Sequence, residues 1–144
     1  MTKKTFTAAQ IHQACICLGL RTAARAVSRR YDQAFRHLGL TSGQFSTLAA
    51  LLRDKPVQLG QLAETLGMDR TTLNRNLNPL IAQGLVADSR DEKDQRIRAL
   101  VLTGKGRALL DRALPAWEAA QAESAALLKE TSWPQLREAL GRLN

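Results

Sequence analysis

From residue 69 to residue 83, apolar side chains recur at helical spacing. Leu73, Leu77, Leu80 and Ile81 share one stripe, while Arg70, Thr71, Asn74, Arg75 and Asn78 occupy the other side. Asp69 suits the N-cap of this helix, because its carboxylate can accept bonds from the free N–H groups of the first turn. Pro79 removes one intrahelical bond and is expected to kink the helix after Arg75, with the helix running on to about Gln83. Upstream, Leu59, Leu62, Ala63 and Leu66 predict a short helix, and Gly67 supplies the positive φ of a tight helix-to-helix turn. Downstream, Gly84 ends the helix. The segments Leu85 to Arg90 and Arg96 to Thr103 then read as strands joined by Asp91-Glu92-Lys93-Asp94-Gln95. A helix-turn-helix followed by a hairpin is the winged helix-turn-helix pattern.

The flanking stretches are helical. Residues 8 to 38 lack proline and predict one long helix ending at Gly39. Thr41-Ser42-Gly43-Gln44 fits a capping box for a helix reaching about Asp54, with Phe45, Leu48, Ala49, Leu51 and Leu52 on its buried side and Lys55-Pro56 stopping it. Val57 and Gln58 can add a short strand to the hairpin. Thr103 caps a second long helix, from Gly104 to about Lys129, anchored by Leu109, Leu110, Leu114, Trp117 and Leu127 and bent at Pro115. Ser132-Trp133-Pro134-Gln135 starts a final helix with a stripe of Leu136, Leu140 and Leu143. These terminal helices carry more apolar surface than one small monomer covers. The expected fold is therefore mainly α with a small β wing. Residues 1–144 form a single domain, with a winged helix-turn-helix reading head at 41–103 and dimerisation helices at 1–40 and 104–144 that intertwine in a homodimer.

Composition narrows the partner. A formal charge of +8, from 21 Lys and Arg against 13 Asp and Glu, favours an anionic partner, and an aromatic content of 4% disfavours single-strand stacking platforms. Duplex DNA fits better, since Arg reads guanine and Asn reads adenine in a major groove. The positive excess lies outside the reading head. Lys3, Lys4, Arg21, Arg25, Arg29, Arg30 and Arg36 face only Asp32 within residues 1–40, whereas eight basic groups meet seven acids within 53–98. That near-neutral segment is the feature favouring a competing class, a winged-helix protein-interaction module without DNA binding. No run approaches the ~20 apolar residues of a spanning helix, and no apolar core follows Lys4, so a cytoplasmic protein is expected.

Four motifs carry a family resemblance: Asp69-Arg70-Thr71-Thr72-Leu73, Gly84-Leu85-Val86, Asp94-Gln95-Arg96 and Leu102-Thr103-Gly104-Lys105-Gly106. In this order and spacing they resemble the MarR family of bacterial winged helix-turn-helix regulators, over nearly the whole chain. The resemblance implies a homodimeric transcription regulator, most often a repressor, whose recognition helices enter successive major grooves of a pseudo-palindromic double-stranded operator. It implies that Arg96 is the wing-tip arginine and Asp94 the carboxylate that orients it. Thr71, Asn74 and Arg75 are then the base-reading candidates, Arg70 and Thr72 the phosphate contacts, and Arg90 joins Arg96 in the wing. Asp91 and Glu92 depart from this picture by putting acid on a loop that should approach phosphate.

Catalytic chemistry has little support: two histidines, His12 and His37, and no nucleophile elbow, Gly-rich phosphate loop or HExxH pattern. No cofactor or metal is expected, because His12 and Cys15 lack further ligands. Cys15 and Cys17 on an intact helix point about 200° apart, so the pair cannot close on itself, and one thiol should face the core and the other a dimer partner. Cys17 also aligns with the reactive cysteine of the organic-peroxide-sensing, OhrR-like branch, where Tyr31 agrees with an assisting tyrosine. Arg21 stands in place of that branch's other tyrosine, and no second cysteine occurs near the C-terminus. Arg21 and Arg25 could lower a thiol's pKa as a thiol-based sensor requires, against the plainer reading of two small buried hydrophobes. The other effector expectation is a small aromatic or carboxylated ligand that releases the protein from DNA. Its anion would pair with Arg21 or Arg25, with its ring against Phe45 or Trp117.

Overall fold

The computed structural model describes residues 5–143. Its helices are α1 (Ala8–Ala14), α2 (Ile16–Phe35), α3 (Ser42–Ala50), α4 (Leu59–Leu66), α5 (Arg70–Ala82), α6 (Gly104–Ala126) and α7 (Trp133–Gly141), and its strands are β1 (Val57–Gln58), β2 (Val86–Arg90) and β3 (Arg98–Leu102). The strands form one antiparallel sheet in the order β1-β3-β2, with Val57 opposite Leu100, Val86 opposite Leu102 and Arg90 opposite Arg98. The mainly α winged helix-turn-helix expected from the sequence is the fold observed.

Capping chemistry places the helix starts. Thr41 and Gln44 exchange both capping-box bonds, Asp69 accepts from Thr72 N–H, Thr103 from Gly106 N–H, and Ser132 pairs reciprocally with Gln135. Gly39, Gly67 and Gly84 end their elements at φ +65°, +61° and +70°, where a side chain would be strained. Both α5 and α6 continue through their prolines, Pro79 and Pro115.

The helix expected over 8–38 is not continuous. Cys15 takes an extended backbone (φ −79°, ψ 107°), ends α1, and offers its Sγ to Leu18 N–H at 3.4 Å as the N-cap of α2. A side-chain acceptor competes here with the helical carbonyl, and α1 buries none of its residues in this chain, so no packing opposes the break. Cys15 and Cys17 therefore do not share one intact helix, and the divergence of about 200° expected of them does not apply. Neither thiol is in the core: Cys15 is half-buried and Cys17 exposed. At its far end α2 tightens into a 3₁₀ turn over Arg36–Leu38. Helix α3 stops at Ala50, short of Asp54, where Leu51 leaves the helical backbone (φ −90°, ψ 0°) with its side chain buried in the core.

The core is built around Leu48, Leu51, Leu62, Leu73, Leu77, Leu80, Val86 and Leu100, all fully buried, so α3, α4, α5 and the sheet share one apolar centre. An aromatic run joins it to the terminal helices: Tyr31 against Phe35, Phe35 stacked on Phe45 with centroids 4.8 Å apart, and Phe45 stacked on Trp117 at 6.4 Å. Ile11, Ile16, Leu20, Val27, Leu114, Leu127, Trp133 and Leu143 of the terminal segments stay exposed, and α7 buries none of its residues. Leu114 and Leu127 thus do not anchor α6 within this chain. Among the described residues no helix is long and apolar enough to cross a membrane.

Candidate nucleic-acid interface

Leu73, Leu77 and Leu80 are wholly buried, and each contributes about 1.5–3 kcal/mol by burial, which pins α5 to the core through one face. The other face is thereby turned out. Arg70, Thr71, Thr72, Arg75 and Asn78 are exposed and Asn74 is half-exposed. Asp69 does more than cap. Its Oδ1 accepts from Thr72 N–H and its Oδ2 from the Thr72 hydroxyl, both at 2.8 Å, and these bonds hold the carboxyl below its usual range. Thr72 therefore reaches a phosphate only by giving up its bond to Asp69. The Arg70 guanidinium lies against Gly60 at the start of α4.

At the wing tip the Asp94–Arg96 pair forms as expected. Arg96 Nε donates to Asp94 Oδ1 and Nη2 to Oδ2, both at 3.1 Å, and Arg96 N–H adds a third bond at 3.0 Å. The Arg96 side chain is 91% exposed, so the carboxylate aims the guanidinium without burying it. Its bonds from Arg96 also lower the Asp94 pKa, while Asp94 raises that of Arg96. The neighbouring acids have structural partners. Asp91 Oδ2 accepts from Gln58 Nε2 at 2.8 Å and its Oδ1 from the backbone N–H groups of Lys93 and Asp94, and these bonds lower its pKa. Glu92 pairs with Lys55 at 3.2 Å. Asp91 is thus a turn former tied to β1, and Glu92 is neutralised from the same side. Arg90 is exposed at the end of β2.

The Leu102–Gly106 motif joins the wing to the recognition helix. Thr103 Oγ1 donates to Gly84 O at 2.7 Å, Thr103 N–H to Leu85 O at 3.1 Å, and Lys105 Nζ to Gln83 O at 2.7 Å. A lysine at the carbonyl end of α5 also complements the helix dipole. Arg98 was not anticipated. Its Nε donates to Asp88 Oδ1 at 2.5 Å and its Nη1 to Asn74 Oδ1 at 2.7 Å, linking β3, β2 and α5. Its one signal is opposite charge on neighbouring strands, visible only once the hairpin register is known.

The effector candidates divide. Phe45 and Trp117 come together and, with Val27, Ser28, Tyr31 and Ser46, line a cavity of about 230 Å³ between α2, α3 and α6. Arg21 and Arg25 are exposed and line neither this cavity nor one of about 220 Å³ beneath α7, where Val27, Tyr31, Leu128, Trp133 and Leu136 meet. Arg30 of α2 does reach α6, its Nη1 donating to Ser124 Oγ at 3.3 Å. Cys17 and Tyr31 are also apart: 14 positions along one helix separate them by about 21 Å. The Tyr31 hydroxyl donates to Gln121 Oε1 at 2.5 Å. No group of three or more His, Cys, Asp or Glu arranged to hold a metal occurs among the described residues.

A capped helix pinned by one apolar face, joined by a tight turn to a shorter helix and buttressed by a three-stranded wing, defines a winged helix-turn-helix protein. Residues 38–97 match the MarR family, and the chain belongs to that family. It is similar to the M. tuberculosis transcriptional regulator MosR, whose crystal structure in complex with DNA is 41% identical, superposes with a TM-score of 0.79, and covers 90% of this chain and 92% of that one. It is 33% identical over 94 residues to the regulator TtmR of Methylorubrum extorquens, covering 65% of this chain and 48% of TtmR, so it spans about half the length of that relative. To the organic hydroperoxide resistance transcriptional regulator of Bacillus subtilis it is 27% identical, covering 69% of this chain and 67% of that protein.

Proposed function

We propose that this protein is a sequence-specific regulator of transcription that binds double-stranded DNA as a homodimer, acts as a repressor, and leaves its operator when a small effector binds. One observation carries the reading. The exposed face of α5 presents Arg70, Thr71, Asn74, Arg75 and Asn78 with no acid among them, beside a wing whose exposed Arg96 is aimed by Asp94. Thr71, Asn74 and Arg75 serve base edges, Arg70 and Thr72 the phosphates, and Arg90 and Arg96 the flanking groove. Similarity to MosR, whose structure was solved in complex with DNA, supports the DNA-binding reading as a whole. The exposed apolar residues of α1, α2, α6 and α7 support pairing through residues 1–40 and 104–144, which sets two reading heads about one helical turn, ~34 Å, apart. The effector site is the cavity at Phe45 and Trp117, which lies between the terminal helices and the reading head.

A salt titration on fragments selected from genomic DNA tests this. A dimeric duplex binder gives log K falling steeply and linearly with log salt. No duplex affinity at low salt leaves the protein-interaction module instead, and a lone subunit in solution removes the two-headed regulator.

A second reading, thiol-based sensing of peroxide through Cys17, is favoured by the exposure of that thiol and by the similarity to the hydroperoxide-resistance regulator. With Tyr31 about 21 Å away along the same helix, any assisting tyrosine comes from the second chain. Mass spectrometry after mild peroxide decides: an unmodified Cys17 with unchanged operator binding removes the sensor.

A further inference from the structure

Arginine carries five N–H donors and no acceptor, so the atom of Asn74 facing the Arg98 guanidinium at 2.7 Å is the carbonyl oxygen. Arg98 is itself held by Asp88 at 2.5 Å on the neighbouring strand, which makes its position a property of the hairpin. The relay Asp88, Arg98, Asn74 thus turns the amide NH₂ of Asn74 away from the wing. Reading adenine requires an asparagine that accepts from N6 and donates to N7. Here the oxygen is already engaged, and an adenine amino group brought to its second lone pair would meet the guanidinium N–H groups of Arg98. Guanine presents O6 and N7 side by side, two acceptors for two amide hydrogens.

We infer that Arg98 is a specificity-positioning residue that sets Asn74 to read guanine rather than adenine at one step of each half-site. This rests on the DNA-binding reading above, and Arg98 acts only through Asn74.

The test selects bound sequences from a randomised duplex pool with the intact wild-type protein and with Asn74→Ala, Arg98→Leu and Asp88→Asn. Asn74→Ala should flatten the preference at a single position, which identifies the base it reads. Wild type should prefer guanine there. Arg98→Leu should move the preference toward adenine by on the order of tenfold, with the salt slope unchanged, and Asp88→Asn should move it part of the way. Should Arg98→Leu fail to fold, Asp88→Asn carries the test, since it loosens Arg98 without removing it. Adenine at that step in wild type, or the same preference in both relay variants, overturns the inference while leaving DNA binding intact. Uniform weakening of all sequences with a salt slope lower by about one unit overturns it too, because Arg98 would then be a phosphate contact. Absence of any duplex binding by wild type removes both readings.

Discussion

Of the glycines, Gly106 has the least room for a side chain. A Cβ built there stands 2.2 Å from Leu85 O and 2.6 Å from Leu102 Cδ1. An ordinary carbon-to-oxygen contact is about 3.3 Å, so in Gly106→Ala the carbonyl must retreat by roughly 1 Å. That oxygen accepts from Thr103 N–H and Thr103 Oγ1, both at 3.1 Å, and neither bond survives such a shift. Overpacking costs about 1–3 kcal/mol and the two bonds about 0.5–1.5 kcal/mol each, while replacing a helical glycine returns about 1 kcal/mol. The expected loss is therefore about 3 kcal/mol, a substantial share of a stability of about 5–15 kcal/mol. Gly104→Ala is the control, because nothing lies within 4 Å of its added Cβ; it should be neutral or stabilising by up to about 1 kcal/mol. Urea denaturation at one fixed protein concentration measures both, the concentration being held because dimer stability depends on it. A Gly106→Ala midpoint equal to wild type would show that this glycine is not required for close packing of α6 against Leu85 and Leu102.

Other outcomes follow from the same geometry. Arg75→Ala should cost ~1–3 kcal/mol at one base step, whereas Arg96→Ala should weaken all sequences and flatten the salt slope, both read from titrations on selected fragments. Asp69, Asp91 and Asp94 have pKa values lowered in the fold, so their stabilising bonds are fully present above the usual carboxylate value of 3.8 and are lost as pH falls through the lower folded values. Carboxyl NMR should show all three titrating below 3.8, and a midpoint above that value for any of them would contradict the assigned bonds. Cys17 shares one stripe of α2 with Leu20 and Val27, all three exposed in the single chain, so if two chains pair along that stripe its alkylation should slow as protein concentration rises through the dimerisation range. A rate independent of concentration would place the pairing face elsewhere.

The local chemistry of the chain carried the reading head. Asp69, Thr41, Thr103 and Ser132 are caps because short polar side chains satisfy free N–H groups wherever an apolar helical stripe follows, and Gly67 and Gly84 are turns because the chain needs φ > 0 there. The Asp94–Arg96 pair was expected from the family resemblance, and it forms within a single turn of the wing. The break at Cys15 was not, since no proline or glycine announces it and only the missing packing of α1 lets a thiol outcompete a carbonyl. Distances between elements lie beyond local reading altogether. The Arg98 relay depends on a hairpin register, and the separation of Arg21 and Arg25 from the Phe45–Trp117 cavity depends on how α2 rotates onto α6. Sequence alone determined the recognition helix, its cap, the hairpin and the polarity of the recognition face, because those are set within a few residues. Only the tertiary structure decided which of those polar groups are already engaged with one another, because that requires side chains distant in the chain to meet.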